Sequence, residues 1–417
     1  MIRPQSIPYS IEVPSLLQTA VHLPASKSIS NRALIINALA GNREMMPHNL
    51  SDCDDTNVML KAFEQMGTPH STINIGAAGT AMRFTTALLS ATKGHHFITG
   101  SERMKQRPIG VLVEALRSLG AHIKYVHNEG YPPLDIEGCT LQGGTISISG
   151  NVSSQYISAL LMIAPTLQDG LTLELKGDII SRSYIDLTLT MMRQFGACAE
   201  WTSDHTIRVK ESPYHKMSYE VENDWSAASY WFEMVALSHD SKACITLSHL
   251  QQQSAQGDSV VRHIFNSLGV ESTFNGTTLT LTKGKERVAH FEYDFVNCPD
   301  LVQTVVVTCC LLGITFRFTG LQTLKIKETD RIEALKNELL KWGYVLTDKD
   351  NSILSWDGTR CEEATDTAID TYEDHRMAMA FAPAAAIRGK VVINRPEVVS
   401  KSYPHFWEEV FMVSTQE

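Results

Sequence analysis

No run of 18 or more apolar residues occurs anywhere in the chain, which argues against a membrane-spanning helix. Positive charge is scarce as well: 36 Lys and Arg face 46 Asp and Glu, for a formal charge of −10. An acidic chain is a poor nonspecific binder of nucleic acid, although a local basic cleft can still capture small anions. The eight cysteines are scattered and never take C-x-x-C spacing. Cys309-Cys310 lies inside the apolar stretch Val305–Leu312, where both read as small packing residues. That usage fits a reduced, cytoplasmic protein, and Met1–Gln5 does not lead into a signal-peptide h-region. Also missing are a G-x-G-x-x-G loop, a Walker A loop, a G-x-S-x-G elbow, an H-E-x-x-H pair and any Cys/His cluster. Dinucleotide, nucleoside-triphosphate, serine-hydrolase and zinc chemistry are therefore poorly supported, and no metal site is expected. The neighbouring His95 and His96 read as surface residues.

What is present is an ordinary globular composition, 43% hydrophobic and 20% charged, in 417 residues. That length exceeds a single core and predicts two domains. Five amphipathic helix patterns each end at a glycine: Gly67, Gly120, Gly196, Gly269 and Gly343. A glycine there suits the left-handed position that closes a helix. After the first interval the spacing is roughly 75 residues, too long for a solenoid and suited to a βαβαββ unit. Between them lie helices with polar starts and apolar bodies, beginning near Ser28, Thr80, Ser154, Ser226, Asp300 and His375. Helices apolar on all faces are buried. Thr145–Ser149 and Leu171–Leu175 alternate with period two and read as strands. A boundary near Glu222–Asp224 leaves three repeats on either side.

Several segments carry candidate chemistry. Ser26-Lys27-Ser28-Ile29-Ser30-Asn31-Arg32 opens a buried helix with two cations and several hydroxyls, a combination suited to an oxyanion. Gly79-Thr80-Ala81-Met82-Arg83 reads as an anion-binding turn or a plain capped helix start. Arg103–Pro108 reads as a cationic loop or a solvated charge run. Ser153-Ser154-Gln155 opens another buried helix, where capping accounts for one serine. Asp300 is either a helix-start carboxylate or a general base facing a cleft. Glu328 and Arg331, in Lys327-Glu328-Thr329-Asp330-Arg331, share a face if helical and form either an ion pair or part of a site. Arg376, ahead of a wholly apolar helix, has no surface role to play. Lys401 by itself reads as an exposed loop lysine.

In this order, from Leu23 to Phe406, these segments closely resemble the 5-enolpyruvylshikimate-3-phosphate synthase family, the 3-phosphoshikimate 1-carboxyvinyltransferases. The most specific matches are Ser26–Ala33, Lys327–Arg331 and Asp374-His375-Arg376-Met377-Ala378. The resemblance implies an α/β fold of two domains, each an inside-out α/β barrel of three βαβαββ repeats with buried helices. It places the N-terminal domain at 23–222 and the C-terminal domain at 223–417, with segment 1–22 crossing back to the latter. It implies that phosphoenolpyruvate gives its carboxyvinyl group to the 5-hydroxyl of shikimate 3-phosphate through a tetrahedral adduct, in a cleft between the domains, with no cofactor. A monomer is implied, with these two small molecules as its partners and neither nucleic acid nor membrane.

Residue by residue, the resemblance assigns Lys27, Ser28, Arg32, Ser153, Ser154, Gln155, Ser181, Tyr184, Asp300 and Lys327 to shikimate 3-phosphate. It assigns Lys27, Gly79, Arg107, Gln155, Arg331, Arg376 and Lys401 to phosphoenolpyruvate. Asp300 resembles the general base, Glu328 the carboxylate that handles the methylene proton, and Lys27 a contributor to leaving-group protonation. The chain departs from the family pattern at Ala25, Ala77, Phe84, Trp225 and Thr323. Two rivals remain. A UDP-N-acetylglucosamine enolpyruvyl transferase would carry Lys-Asn at the first helix and a loop cysteine; here Ser28 follows Lys27 and Ser101–Arg107 has no Cys. An inactive anion-binding protein of the same fold would lose its acid–base carboxylates, and Asp300 and Glu328 are both present.

Overall fold

The computed structural model describes residues 7–13, 16–42, 45–66 and 72–414. The chain start Met1–Gln5 and the helix-closing Gly67 lie outside those residues. Contacts divide the chain into two compact units, residues 25–222 and residues 1–24 with 223–417. Each has its own hydrophobic core.

One motif builds both units. Strands Thr72–Asn74, Gly94–Thr99, His122–Tyr125 and Leu134–Gly138 form a four-stranded sheet in the spatial order first, second, fourth, third. Its first two strands are parallel and the remaining pairs antiparallel. The same order and directions recur in Gln142–Ser149, Gln168–Lys176, Ala199–Ser203 and Thr206–Val209. They recur again in His290–Asp294, Thr315–Thr319, Thr347–Lys349 and Ile353–Trp356. In a further sheet Gln18–Val21 supplies the first strand beside Cys244–Leu247, Val270–Asn275 and Thr278–Lys283. The N-terminal segment thus completes a sheet of the 223–417 unit. It does so a second time through Tyr9–Ile11, which pairs antiparallel with Val391–Ile393. Thr145–Ser149 and Leu171–Leu175 fall in adjacent parallel strands, with Ile146 opposite Leu173.

A parallel pair needs a long crossover, and here it is a helix. Lys27–Leu39, Gly79–Ala91, Ser154–Ile163, Trp225–Leu237, Val302–Leu312 and His375–Phe381 are buried along most of their length. Lys27, Gly79, Ser154 and Arg376 lie in the first turns of these helices, so several candidate site residues collect at helix starts. The second helix of each repeat is amphipathic: Asp54–Met66, Gly110–Ser118, Arg182–Gln194, Val261–Ser267 and Arg331–Lys341. Gly120, Gly196, Gly269 and Gly343 follow them with φ of +95°, +88°, +87° and +80°, which a Cβ would strain.

Two expectations need correction. Strand alternation splits His95 from His96: the first faces outward, while the second points into the core at 4% exposure, where burial lowers its pKa. Cys309 and Cys310 are buried as read, and all eight cysteines are free thiols. The other correction concerns Glu328, which precedes its helix. Asp330 caps the Glu333 N–H at 3.2 Å, so the helix starts at Arg331. No helix among the described residues is long and apolar enough to cross a membrane.

Candidate active site

In the 223–417 unit, Arg331 is the hub of an ion-pair lattice. It opens its helix at 1% exposure and reaches three carboxylates. Its Nε donates to Asp374 Oδ2 at 2.7 Å, its Nη1 to Asp300 Oδ1 at 2.9 Å and its Nη2 to Glu328 Oε2 at 3.0 Å. A longer bond of 3.3 Å joins Nη2 to Asp374 Oδ1. Asp300 sits in the 3₁₀ turn Pro299–Leu301 that leads into the buried helix Val302–Leu312. It also accepts from Arg376 Nη2 at 3.0 Å and lies 3.7 Å from Lys327 Nζ. Lys401 ends the turn Pro396–Lys401 and pairs with Glu328 Oε1 at 2.8 Å, so it is part of this lattice and not a loose surface lysine. Arg376 also donates to the Tyr230 hydroxyl at 3.3 Å.

Six residues singled out in the sequence, Asp300, Lys327, Glu328, Arg331, Arg376 and Lys401, are thereby brought together. With Asp374, which Arg331 also binds, four cations face three carboxylates in this directly linked set. That leaves one positive charge over, which favours an anionic ligand. Burial pushes the Glu328 carboxyl up, but Lys401, Arg331 and His375 outweigh it and hold it well below its usual range. Burial likewise lowers the Arg331 pKa, and Asp374, Glu328 and Asp300 raise it past its ordinary value.

In the 25–222 unit, Ser26 caps the helix of Lys27 and Arg32 by accepting from the Ile29 N–H at 3.5 Å. Arg32 is buried. It donates to Thr188 Oγ1 at 2.7 Å, the Ser28 carbonyl at 3.0 Å, Ser158 Oγ at 3.1 Å and the Tyr184 carbonyl at 3.3 Å. Among the described residues none of its partners is a carboxylate, and burial pushes its pKa down to about 10, with Tyr184 opposing. Phe84 lies beneath it, ring centroid 5.3 Å from the guanidinium carbon, a cation–π contact. Lys27 Nζ is 3.4 Å from Asp55 Oδ2.

Gly79 begins the next buried helix. A Cβ there would come within 2.7 Å of both Arg83 Nη1 and Arg107 Nη1, so glycine is what lets the two guanidiniums approach that helix start. Gln155 donates to Thr80 Oγ1 at 2.9 Å, linking two helix starts. Ser153 is the cap of its helix, accepting from the Gln155 N–H at 3.4 Å, and Ser154 is the first helical residue. Ser181 has φ +57°, a strained conformation for a serine, just ahead of helix Arg182–Gln194. The sequence singled out no function for Asp55, Ser158, Thr188 or Tyr230. Only Asp55 had a local signal, the acidic pair that opens helix Asp54–Met66. Ser158 and Tyr230 are buried polar residues inside apolar helices, and Thr188 is on the buried side of an amphipathic one.

Helix starts that carry cations, with carboxylates paired to them, suit an α/β enzyme of anionic substrates. Comparison with known proteins makes this specific. The family model described as EPSP synthase (3-phosphoshikimate 1-carboxyvinyltransferase) matches residues 11–74 and 68–410. A 3-phosphoshikimate 1-carboxyvinyltransferase of Bacteroides fragilis is 58% identical over 402 residues, covering 96% of this chain and 97% of the relative. One from Photobacterium damsela subsp. piscicida is 35% identical over 425 residues, covering 96% and 98%. The chain belongs to the EPSP synthase family. Among solved structures, EPSP synthase from Acinetobacter baumannii superposes with TM-score 0.77 at 20% identity, covering 98% of each chain. The enolpyruvyl transferase NikO from Streptomyces tendae superposes with TM-score 0.72 at 14% identity and the same coverage. At those identities the likeness is one of fold.

Proposed function

We propose that this protein transfers the carboxyvinyl group of phosphoenolpyruvate to the 5-hydroxyl of shikimate 3-phosphate and releases phosphate. The observation that carries this reading is the lattice of Asp300 and Glu328 among Arg331, Arg376, Lys327 and Lys401, in a chain of this family. Addition requires a proton to leave the 5-hydroxyl and one to reach the methylene carbon of phosphoenolpyruvate. Elimination reverses the second transfer and expels phosphate. Asp300 is the base for the hydroxyl and Glu328 the group that exchanges the methylene proton, with Lys27 helping the phosphate leave. Arg376, Lys401, Arg107 and the helix start at Gly79 hold phosphoenolpyruvate. Arg331 takes part mainly by fixing the three carboxylates, since contact with substrate would exchange one of its present bonds.

Shikimate 3-phosphate takes Ser28, Arg32, Ser153, Ser154, Gln155, Ser181, Tyr184 and Lys327. A phosphate near Arg32 would supply the negative charge that its neutral partners lack. The chain acts as a monomer in the cytoplasm, a reading supported by its cysteine usage and family.

The test is phosphate release from phosphoenolpyruvate by purified protein, with shikimate 3-phosphate, with UDP-N-acetylglucosamine, and with neither. Release that requires shikimate 3-phosphate is expected. Release only with the sugar nucleotide would transfer the assignment to the rival acceptor, and binding without release would leave an anion-binding protein.

A further inference from the structure

The backbone is strained just ahead of Asp374 and Arg376. Tyr372 and Glu373, consecutive and neither of them glycine, have φ of +53° and +57°. Residues with a Cβ seldom take that conformation, and it persists only where the surroundings impose it. Here a side chain from the helix of Arg331 does so. Glu338 lies about two turns beyond Arg331 on the buried face of Arg331–Lys341 and is itself fully buried. Its Oε1 accepts from the Tyr372 hydroxyl at 2.6 Å and its Oε2 from the Asp370 N–H at 3.0 Å, with Lys341 Nζ 2.7 Å from Oε2. Arg331 grips the other end of the same segment through Asp374. Residues 370–374 are thus fastened to one helix at Asp370, Tyr372 and Asp374. The left-handed turn closes where the Asp374 N–H donates to the Thr371 carbonyl at 2.8 Å.

We propose that Tyr372 is a positioning residue, whose bond to Glu338 holds the left-handed turn that sets Asp374, and with it Arg331 and Arg376, in place. Asp374 takes two bonds from Arg331 and accepts from the Arg376 N–H at 2.9 Å, so a shift of this turn moves both guanidiniums. Packing does not call for the hydroxyl: the Tyr372 ring lies against the hydrophobic core, and phenylalanine would keep that contact. What phenylalanine would lose is a short bond to a buried carboxylate, one of the stronger kinds of hydrogen bond. Without it the strained pair can relax toward ordinary backbone angles, carrying Asp374 away from Arg331. Tyr372 neither gives nor takes a proton in the reaction. This inference rests on the carboxyvinyl-transfer reading for its effect on catalysis, though not for the link between Tyr372 and Asp374.

The link is read without turnover, by a double-mutant cycle of Tyr372→Phe and Asp374→Asn on stability in urea unfolding. Both changes loosen the same turn, so the double variant should lose no more than about two-thirds of the summed single losses. Full additivity would overturn the proposal whatever the enzyme catalyses. With both substrates, Tyr372→Phe should raise KM for phosphoenolpyruvate about tenfold and leave KM for shikimate 3-phosphate within about twofold of wild type. A residue that only stabilised the fold would leave both KM values unchanged in folded protein, and that result would also overturn the proposal. Absence of acceptor-dependent turnover in the wild type would reject the functional reading alone, and the cycle would still decide the link.

Discussion

Asp374→Asn gives the sharpest view of what holds the lattice together. Asp374 is fully buried, takes two N–H bonds from Arg331 and caps its own helix through the Arg376 N–H at 2.9 Å. Asparagine keeps the size and one capping oxygen, but loses the charge and turns an NH₂ group toward a guanidinium that can only donate. Removing one partner of a buried ion pair typically costs 3–5 kcal/mol; because Arg331 keeps Asp300 and Glu328, the lower end applies, about 3 kcal/mol. For a unit of roughly 200 residues each kcal/mol moves Tm by about 2–4 °C, so the expected fall is about 6–12 °C. Tryptophan fluorescence is a suitable readout, because Trp225, Trp231, Trp342, Trp356 and Trp407 all belong to the affected unit and only Trp201 to the other. A fall of less than about 2 °C would refute the claim that Asp374 pays for burying Arg331.

Asp300→Ala and Glu328→Ala should each lower kcat by about a thousandfold in proteins that still fold; near-normal turnover in both would reject the roles given to them. Glu328 is held below its usual range, so its contribution to stability is complete above pH ~4.5 and is lost as pH falls toward its folded pKa. Lys401→Met should therefore raise the midpoint of acid unfolding, followed by far-UV circular dichroism. Gly79→Ala should leave Tm nearly unchanged and raise KM for phosphoenolpyruvate about tenfold, by displacing the guanidiniums of Arg83 and Arg107. Glu233 is fully buried, its oxygens have no hydrogen-bond partner, and the nearby Thr308 hydroxyl donates to the Thr304 carbonyl instead. Burial raises its pKa well above normal, so its stability cost appears as pH rises above ~4.5. Glu233→Met should stabilise the protein by about 2 kcal/mol at pH 8 and by less at pH 5, measured by urea titration.

Much of the architecture was legible because it is repeated. Glycines that end helices and helices apolar on every face are local signals, and recurrence of the pattern implied a repeated βαβαββ unit. The supply of Gln18–Val21 as the first strand of one sheet is a long-range pairing with no local signature. For the site, the segments Lys327–Arg331 and Asp374–Arg376 were visible as charges at helix starts. Their mutual bonds were not, since Asp300, Arg331, Arg376 and Lys401 are distant in sequence. Lys401 shows this best: as a short peptide it is an ordinary loop lysine, and only the fold puts Glu328 2.8 Å away. Glu328 shows the reverse, because its i,i+3 relation to Arg331 gives the right pair without a shared helix. Tyr230 escaped notice because a buried polar residue among apolar neighbours leaves no pattern in the chain.

The central claim is carboxyvinyl transfer by addition and elimination, and it predicts which bond of phosphoenolpyruvate breaks. Phosphoenolpyruvate carrying oxygen-18 in its bridging position should be incubated with shikimate 3-phosphate and the protein, and the products analysed by mass spectrometry. Label wholly in inorganic phosphate, together with a carboxyvinyl ether of the acceptor, is the predicted result. Label retained in a three-carbon product, or phosphate gained by the acceptor, would mean that the P–O bond breaks and would contradict the account.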